Sequence, residues 1–389
     1  MSSGGEGESE SGEVKWSKRQ RLTVSATQTC SEPWGSNPHL SLPFDLIEQI
    51  LERLPVKFLL QFQCVCKSWK SLISDPQFAA KHLRRSPSPT CLILSFVNLT
   101  RHFVLRSYTL SHVFNAPAVT ATHLCYPFNN RNRFDLIVGS CHGILCYAVD
   151  QRLTLLWNPS TRKFNHLPPL DNQRSTGSFT IYGFGYDHFA HCYKVVAVFC
   201  YQCNGRYATQ VKVLSLGTDL SWRRIQDFPS ALPFDESGKF VSGTINWSSS
   251  NDLGSSVIVS LDLQKESYEE VLQPDYGVAV VFWTLGVLRD CLCVLCHGDT
   301  FLDVWLMKDY GNKESWTKLF RVPYTGTSDS FPYTKAICIS EDDQVLLEFQ
   351  SELAVYNPRN GTFKIPEIQD MNKCMTPEIY VESLISPCF

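Results

Sequence analysis

Apolar residues in the segment 42–83 recur at helical spacing, and one proline divides the segment into two stretches. The first stretch predicts a helix whose apolar face carries Ile47, Ile50, Leu51 and Leu54. Pro55 disfavours helical geometry at the residue before it and therefore predicts the end of this helix. The second stretch predicts a helix with the apolar stripe Phe62, Val65, Cys66, Trp69 and Ile73, closed by Asp75-Pro76. A unit of about forty residues buries little core, so this density of apolar side chains indicates that a partner completes it.

From Thr90 onward, helical spacing gives way to short β-rich runs separated by turn residues, such as CLILSFV, YKVVAVFCY and SSVIVSLDL. Six units share one ending, in which an apolar strand, a polar turn and a second strand lead to a proline. The closing prolines recur at intervals of 43 to 61 residues: Pro117, Pro168, Pro229, Pro274, Pro323 and Pro366. Such periods, with several strands each, predict a β-propeller of about six blades. A large β-sandwich is the alternative, and it accounts for the strands but not for their spacing.

These patterns predict an α plus all-β protein with four parts. Residues 1–38 are rich in Ser, Gly and Glu and are expected to be disordered. A small helical domain follows at 39–85, and Ser86-Pro87-Ser88-Pro89 forms a stiff linker. The propeller-like domain then occupies 90–389.

Charge and cysteine content restrict the class of protein. The net charge is −3, and no part of the chain is basic enough to predict nucleic-acid binding. Residues 1–30 do not resemble a signal peptide, and no apolar stretch is long enough for a membrane span. The 16 cysteines stand mostly in apolar runs, so we expect buried thiols in a reducing compartment, the cytoplasm or the nucleus. Lys18-Arg19-Gln20-Arg21 resembles a weak nuclear-import signal, but a solvated charge cluster in a tail is the favoured interpretation.

Candidate chemical sites are weak. Cys291, Cys293, Cys296 and His297 suggest zinc, but no second pair stands at zinc-finger spacing, and Cys200-x-x-Cys203 shows no helix that would lower a thiol pKa. Ser140, His142 and Asp135 lack the context of a nucleophile elbow. Paired carboxylates such as Glu269-Glu270 are expected to keep strand edges soluble. We therefore predict no metal, no cofactor and no enzymatic activity.

The helical segment closely resembles an F-box in the form common in plants. The resemblance is carried by Leu42-Pro43, Ile50-Leu51, Arg53-Leu54-Pro55-Val56-Lys57, Cys64-Val65-Cys66-Lys67-Ser68-Trp69 and Asp75-Pro76. It implies docking onto the Skp-type adaptor of a cullin-RING ubiquitin ligase, through an apolar helix face that enters a partner groove. The residues expected to bind the adaptor are Leu42, Pro43, Ile47, Ile50, Leu51, Leu54, Pro55, Val65, Cys66 and Trp69.

The remainder resembles the plant F-box-associated domain, a kelch-like β-propeller. The matching motifs are Gly139 to Leu145, Leu156-Trp157-Asn158-Pro159, Gly183 to Asp187 with Tyr193 to Val196, and Gly243 to Trp247. The repeats lack the Trp-Asp dipeptide of WD40 blades and the diglycine of typical kelch blades. The two resemblances together imply the substrate-recognition subunit of an SCF (Skp–cullin–F-box) ligase. An F-box adaptor that works outside the ligase, and a propeller enzyme with a fortuitous F-box-like segment, remain alternatives.

An unknown protein substrate is expected to bind long loops on the open face of the propeller. The interval between Pro168 and Pro229 is the largest, and two loops are predicted within it, at 171–178 and 200–207. Arg174, Arg206 and Tyr207 in these loops are side-chain types that are enriched in binding hot spots.

Overall fold

The computed structural model describes residues 42–85, 90–97, 103–116, 119–124, 126, 136–149, 152–172, 176–217, 219–230, 232–251, 254–277, 280–324, 333–349, 352–368 and 375–388. The predicted tail at 1–38 and the predicted linker at 86–89 lie outside these residues. Phe44–Phe389 form one compact unit, which contains both the helices and the strands.

The helical domain contains four short helices: α1 (Phe44–Leu51), α2 (Val56–Phe62), α3 (Lys67–Ile73) and α4 (Pro76–Arg85). The prediction of a single helix after Pro55 was therefore wrong. Cys66 has an extended backbone, with φ −156° and ψ 168°, and separates α2 from α3. Asp75 starts α4 as well as closing α3, because its Oδ1 accepts hydrogen bonds from the N–H groups of Gln77 (2.7 Å) and Phe78 (3.1 Å).

Twenty-four strands form six antiparallel sheets of four strands each. Blade 1 contains β24 (Met375–Val381), β1 (Thr90–Val97), β2 (Phe103–Thr109) and β3 (Thr122–Leu124); blade 2 contains β4 (Leu136–Cys141), β5 (Ile144–Ala148), β6 (Thr154–Asn158) and β7 (Lys163–His166). Blade 3 contains β8 (Phe179–Asp187), β9 (Cys192–Cys203), β10 (Arg206–Ser215) and β11 (Arg223–Arg224); blade 4 contains β12 (Lys239–Val241), β13 (Thr244–Ser250), β14 (Ser256–Asp262) and β15 (Tyr268–Val271). Blade 5 contains β16 (Phe282–Leu288), β17 (Cys291–His297), β18 (Phe301–Met307) and β19 (Trp316–Pro323); blade 6 contains β20 (Tyr333–Ile339), β21 (Val345–Phe349), β22 (Glu352–Asn357) and β23 (Thr362–Lys364). A fifth α-helix, α5 (Leu110–Asn115), follows β2, and a 3₁₀ helix (Lys313–Ser315) precedes β19.

The six blades form a closed ring. Their first strands contact one another in the cyclic order β24, β4, β8, β12, β16 and β20, with β20 next to β24. The C-terminal β24 pairs with β1, which closes the ring between the two ends of the domain. Apolar clusters lie between neighbouring blades and do not merge into one sandwich core. The prediction of about six propeller blades is confirmed.

The proline-terminated repeat marks the outer edges of most blades. Pro168, Pro229, Pro274 and Pro366 follow the fourth strand of their blades, and Pro323 ends β19. The repeat failed in the first unit, because the predicted second strand at 110–115 is the helix α5. This helix buries Val113 and Phe114 against the apolar face of β1, and the fourth strand of blade 1 comes later, at β3. Pro117 lies outside the described residues.

The predicted loop at 200–207 is a β-hairpin. β9 and β10 pair from Lys194 with Ser215 up to Cys203 with Arg206, and only Asn204 and Gly205 form the turn. Both turn residues have positive φ, 52° and 74°, as the tight hairpin turn requires. The long interval between Pro168 and Pro229 thus reflects two long strands.

The propeller has two faces, which carry different sets of turns. Successive turns of an antiparallel sheet alternate between its two ends. In every blade, the turn between the first and second strands therefore lies on the same face as the turn between the third and fourth strands. Thr90, at the start of β1, pairs with Val381, at the end of β24, on this same face. We call it the helical-domain face, because Leu384 extends from it into the core of the helical domain. The opposite, distal face carries the second-to-third turns and the connections between blades.

Candidate binding surfaces

The helical domain has a compact core of its own. Leu51, Val56, Leu59, Ile73, Phe78 and Ala79 are buried together with Leu384 from the C-terminal segment. Two ion pairs join α1 and the turn after it to α4, Lys81 to Glu48 at 2.9 Å and Arg85 to Glu52 at 2.6 Å. The buried His82 reinforces this packing, since its Nε2 lies 2.7 Å from the carbonyl oxygen of Leu54. Apolar residues outside the core are therefore available for contact with another molecule.

The structure places the ten predicted adaptor-binding residues in three environments. Leu42, Pro43, Ile50, Pro55, Val65 and Cys66 are exposed, whereas Ile47, Leu54 and Trp69 are half-buried. Leu51 is 1% exposed and lies inside the helical-domain core. It follows that Ile50, which is 49% exposed, presents its side chain to solvent, while Leu51 holds the helix in place.

Three further apolar residues of the helical domain are exposed and were missed by the sequence analysis: Phe44, Leu46 and Phe58. Leu46 and Ile50 are four residues apart in α1, so their side chains share one helix face. We call Phe44, Leu46, Ile50, Phe58 and Val65 the exposed apolar set. Phe44, Leu46 and Phe58 could have been identified from the sequence, because they are large apolar residues that lie outside the predicted apolar stripes.

The C-terminal segment connects the helical domain to blade 2. Asn158 is fully buried, and its Nδ2 donates hydrogen bonds to the carbonyl oxygens of Ser383 (3.0 Å) and Ile385 (2.7 Å). Ser383 Oγ donates to the carbonyl oxygen of His142 at 2.7 Å. Gly143, with φ +80°, follows in the same turn, and an added Cβ would collide with Val381 and Ser383. The motif Gly139 to Leu145 and the Asn-Pro turn thus position the segment that packs against the helical domain.

The predicted substrate residues Arg206 and Tyr207 stand on the distal face. Both are exposed, next to the Asn204-Gly205 turn, and the Tyr207 ring packs edge-on against Phe179 at a centroid distance of 6.3 Å. Arg174 lies outside the described residues. The assignment of these residues to substrate binding stays a prediction.

The distal face also carries a cleft of about 710 Å³ between blades 4 and 5. Its lining comes from four segments of the chain and combines aromatic, aliphatic and polar side chains: Phe234, Asp235, Ser248, Ser256, Gln273, Tyr276, Val280, Val281, Phe282, Trp283 and Thr284. Phe234 and Val281 are 61% and 55% exposed. Sequence reasoning missed this site, although the aromatic and aliphatic run from Tyr276 to Trp283 contains few residues suited to a simple turn.

Asp235 is the carboxylate within this cleft. Its Oδ2 accepts a hydrogen bond from the Ser248 N–H at 2.5 Å. Burial raises the pKa of Asp235, and the Lys239 ammonium and the Ser248 N–H partly oppose that shift. The Ser248 hydroxyl also hydrogen-bonds to this carboxylate, whose remaining lone pairs, those of Oδ1 among them, can accept a hydrogen bond from a ligand.

The candidate zinc residues lie within one buried strand. Cys293, Cys296 and His297 are buried in β17, where burial raises the pKa of Cys296 to about 12 and lowers the pKa of His297 to about 4. Phe282 stacks on the His297 ring at 4.1 Å, and Tyr324 Oη lies 2.8 Å from His297 Nδ1. Within the described residues, no group of three or more His, Cys, Asp or Glu side chains could hold a metal ion.

The other candidates for chemistry have structural surroundings. Cys200 is buried and Cys203 is exposed, since residues three apart on β9 face opposite sides. His142 Nδ1 lies 3.1 Å from Tyr193 Oη, in a cluster of rings with Tyr186. Asp135 lies outside the described residues. None of the helices in the described part of the chain is long and apolar enough to cross a membrane.

Two parts of the chain match two family models. Residues 39–81 match the F-box domain, and residues 91–383 match the F-box associated beta propeller domain. F-box/kelch-repeat protein At3g23880 of Arabidopsis thaliana is 35% identical over 362 residues, which is 90% of this chain and 97% of that protein. F-box protein CPR1 of the same plant is 27% identical and covers 90% of this chain and 89% of its own length. The similarity therefore extends over both the helical domain and the propeller.

Proposed function

The chain belongs to the plant F-box proteins with an F-box associated β-propeller, and from this premise we propose that it is the substrate-recognition subunit of an SCF ubiquitin ligase. The helical domain binds the Skp-type adaptor and, through it, the cullin-RING ligase. The propeller binds a protein substrate. The chain itself catalyses no covalent step. It acts by holding substrate lysines at high effective concentration near the conjugating enzyme that carries ubiquitin.

The exposed apolar set is the observation that carries this proposal. The helical domain completes its core without these side chains, yet it leaves five large apolar residues in contact with solvent. An uncovered apolar surface of this kind is typical of a protein interaction site. Burial of these side chains in a partner groove would stabilise the complex by roughly 25 cal/mol for each Å² of apolar surface removed from water.

The arrangement of the two faces supports the division of labour. The helical domain packs at the face where β24 ends, so an adaptor bound to it lies toward that side of the propeller. The distal face stays open, with the β9–β10 turn and the cleft between blades 4 and 5. A rigid scaffold with loops at its open face is a suitable surface for recognising a second protein.

Binding of a purified Skp-type adaptor tests the proposal. Ile50→Asp and Val65→Asp place a charge on exposed positions and should weaken adaptor binding at least tenfold. Their free energy of unfolding should stay within about 0.5 kcal/mol of that of the wild type. Ile365→Asp is the matched control, because Ile365 is 57% exposed and follows β23 on the distal face. Unchanged adaptor binding by the Ile50 and Val65 variants would reject the docking surface.

A further inference from the structure

We propose that the cleft between blades 4 and 5 binds a basic peptide segment of the substrate that carries a bulky apolar side chain. This inference rests on the proposed function, since it assigns a substrate class to the distal face. The apolar side chain enters between Phe234 and Val281, and Lys or Arg residues of the peptide meet the carboxylates in and around the cleft.

The apolar part of the cleft is large and unusually exposed. Phe234, Val281 and Phe282 are exposed, and Trp283 and Tyr276 form half-buried walls. The large and rigid rings that line the cleft can bury an aromatic or aliphatic anchor with little loss of side-chain entropy.

The cleft is also ordered before any ligand arrives. Gln273 Nε2 donates a hydrogen bond to the carbonyl oxygen of Ser256, and Tyr276 Oη donates to Gln273 Oε1 at 2.8 Å. This chain of hydrogen bonds fixes the segment after β15 to the start of β14. A preformed site loses less entropy on binding than a site that must fold around its ligand.

A polar group in the cleft is available to a peptide. Asp235 Oδ1 can accept a hydrogen bond, as described above. A peptide that donates a hydrogen bond to this carboxylate would offset the cost of removing it from water.

The charge around the cleft selects a basic partner. Within the described residues of the lining segments and their immediate neighbours, three carboxylates, those of Asp235, Glu236 and Asp275, stand against one ammonium, that of Lys239. Glu236 and Asp275 are exposed to solvent, whereas Asp235 lies within the field of Lys239. Complementary charge across an interface steers association and disfavours partners of the same sign.

Selection from a phage-displayed library of random peptides tests the proposal on the full chain bound to its Skp-type adaptor. We expect enrichment of peptides with Lys or Arg beside Leu, Phe or Trp. Asp235→Asn should weaken the best selected peptide about three- to tenfold, and the double change Phe234→Ser with Val281→Ser should weaken it more than tenfold. Raising the salt concentration should weaken binding to the wild type more than to Asp235→Asn, because salt screens the charge pair.

Leu153→Ser is the matched control, since Leu153 is exposed at the turn between β5 and β6 on the distal face but belongs to blade 2. It should leave peptide binding unchanged. Enrichment of acidic peptides, no enrichment at all, or equal binding by the cleft variants and wild type would overturn the proposal. Enrichment only after residues 1–38 are removed would also overturn it, and would assign the cleft to the chain's own basic segment Lys15–Leu22. Adaptor binding is measured on the same samples, so its loss would count against the proposed function and not against the cleft.

Discussion

Asn158→Ala should destabilise the chain far more than Asn357→Ala, although both asparagines begin the same Asn-Pro turn after the third strand of a blade. Asn357 Oδ1 accepts one hydrogen bond, from the Arg359 N–H at 3.0 Å. Asn158 Oδ1 makes the equivalent bond with the Ser160 N–H at 2.8 Å and a longer one with the Thr161 N–H at 3.3 Å. Its Nδ2 additionally donates to the carbonyl oxygens of Ser383 and Ile385 and to Ser383 Oγ. The comparison therefore reports chiefly on the anchoring of the C-terminal segment.

The magnitude follows from these contacts. Loss of the turn bond costs about 0.5–1.5 kcal/mol in either variant. Asn158→Ala also removes a donor from two carbonyl groups in a buried or half-buried environment, at about 1–3 kcal/mol each. We therefore expect Asn158→Ala to lower the free energy of unfolding by about 2–6 kcal/mol more than Asn357→Ala. Urea unfolding followed by tryptophan fluorescence measures this difference through the midpoint and slope.

Hydrogen exchange provides a second readout. Asn158→Ala should increase amide exchange at 383–385, and Asn357→Ala should not, because Asn158 bonds to that segment whereas the Asn357 side chain bonds within its own turn. Equal loss of stability in the two variants, with unchanged exchange at 383–385, would refute the anchoring role.

Three further predictions concern stability. Leu51→Ala should cost about 2–5 kcal/mol and Ile50→Ala less than about 1 kcal/mol, because Leu51 is a core residue and Ile50 is exposed; similar losses in thermal unfolding would contradict this assignment. Lys194→Met should lower the free energy of urea unfolding by about 3–5 kcal/mol, because it leaves the buried Asp187 and Glu266 without the cation they share. The Lys194 Nζ lies 3.0 Å from Asp187 and 3.1 Å from Glu266, and unchanged stability would contradict this role. Burial lowers the pKa of His297 to about 4 from 6.5, so its contribution to stability is intact above pH 6.5 and is lost as the pH falls toward 4. His297→Gln should flatten the pH dependence of the unfolding midpoint in that range, and an unaltered profile would show that His297 is not its source.

Local sequence signals predicted the blades well and their closure poorly. Five of the six prolines fall where a blade ends, because the fourth strand is followed by a turn that tolerates a fixed φ. β24 was missed because Pro377 lies within it and the strand pairs with β1, almost three hundred residues earlier in sequence. The strand tolerates Pro377 because it is the first strand of its blade and pairs on one side only.

The sites show the same division. The apolar stripe located the helical domain, but it could not separate Leu51 in the core from Ile50 on the surface, since both belong to one predicted helix face. The turn Asn204-Gly205 is a strong local signal for a hairpin, and its neglect made two strands look like a loop. The cleft between blades 4 and 5 has no local signal, because it exists only when segments from two blades come together.

Affinity purification from plant cells under proteasome inhibition tests the central claim most directly. The wild-type chain and a variant lacking residues 39–85 are compared, with Ile50→Asp as a point-mutant form of the same perturbation. The account predicts that the Skp-type adaptor and a cullin co-purify with the wild type only, while a common set of target proteins is retained by all three. Recovery of the adaptor without any cullin would contradict the ligase role, and it would instead support an F-box protein that acts outside the ligase.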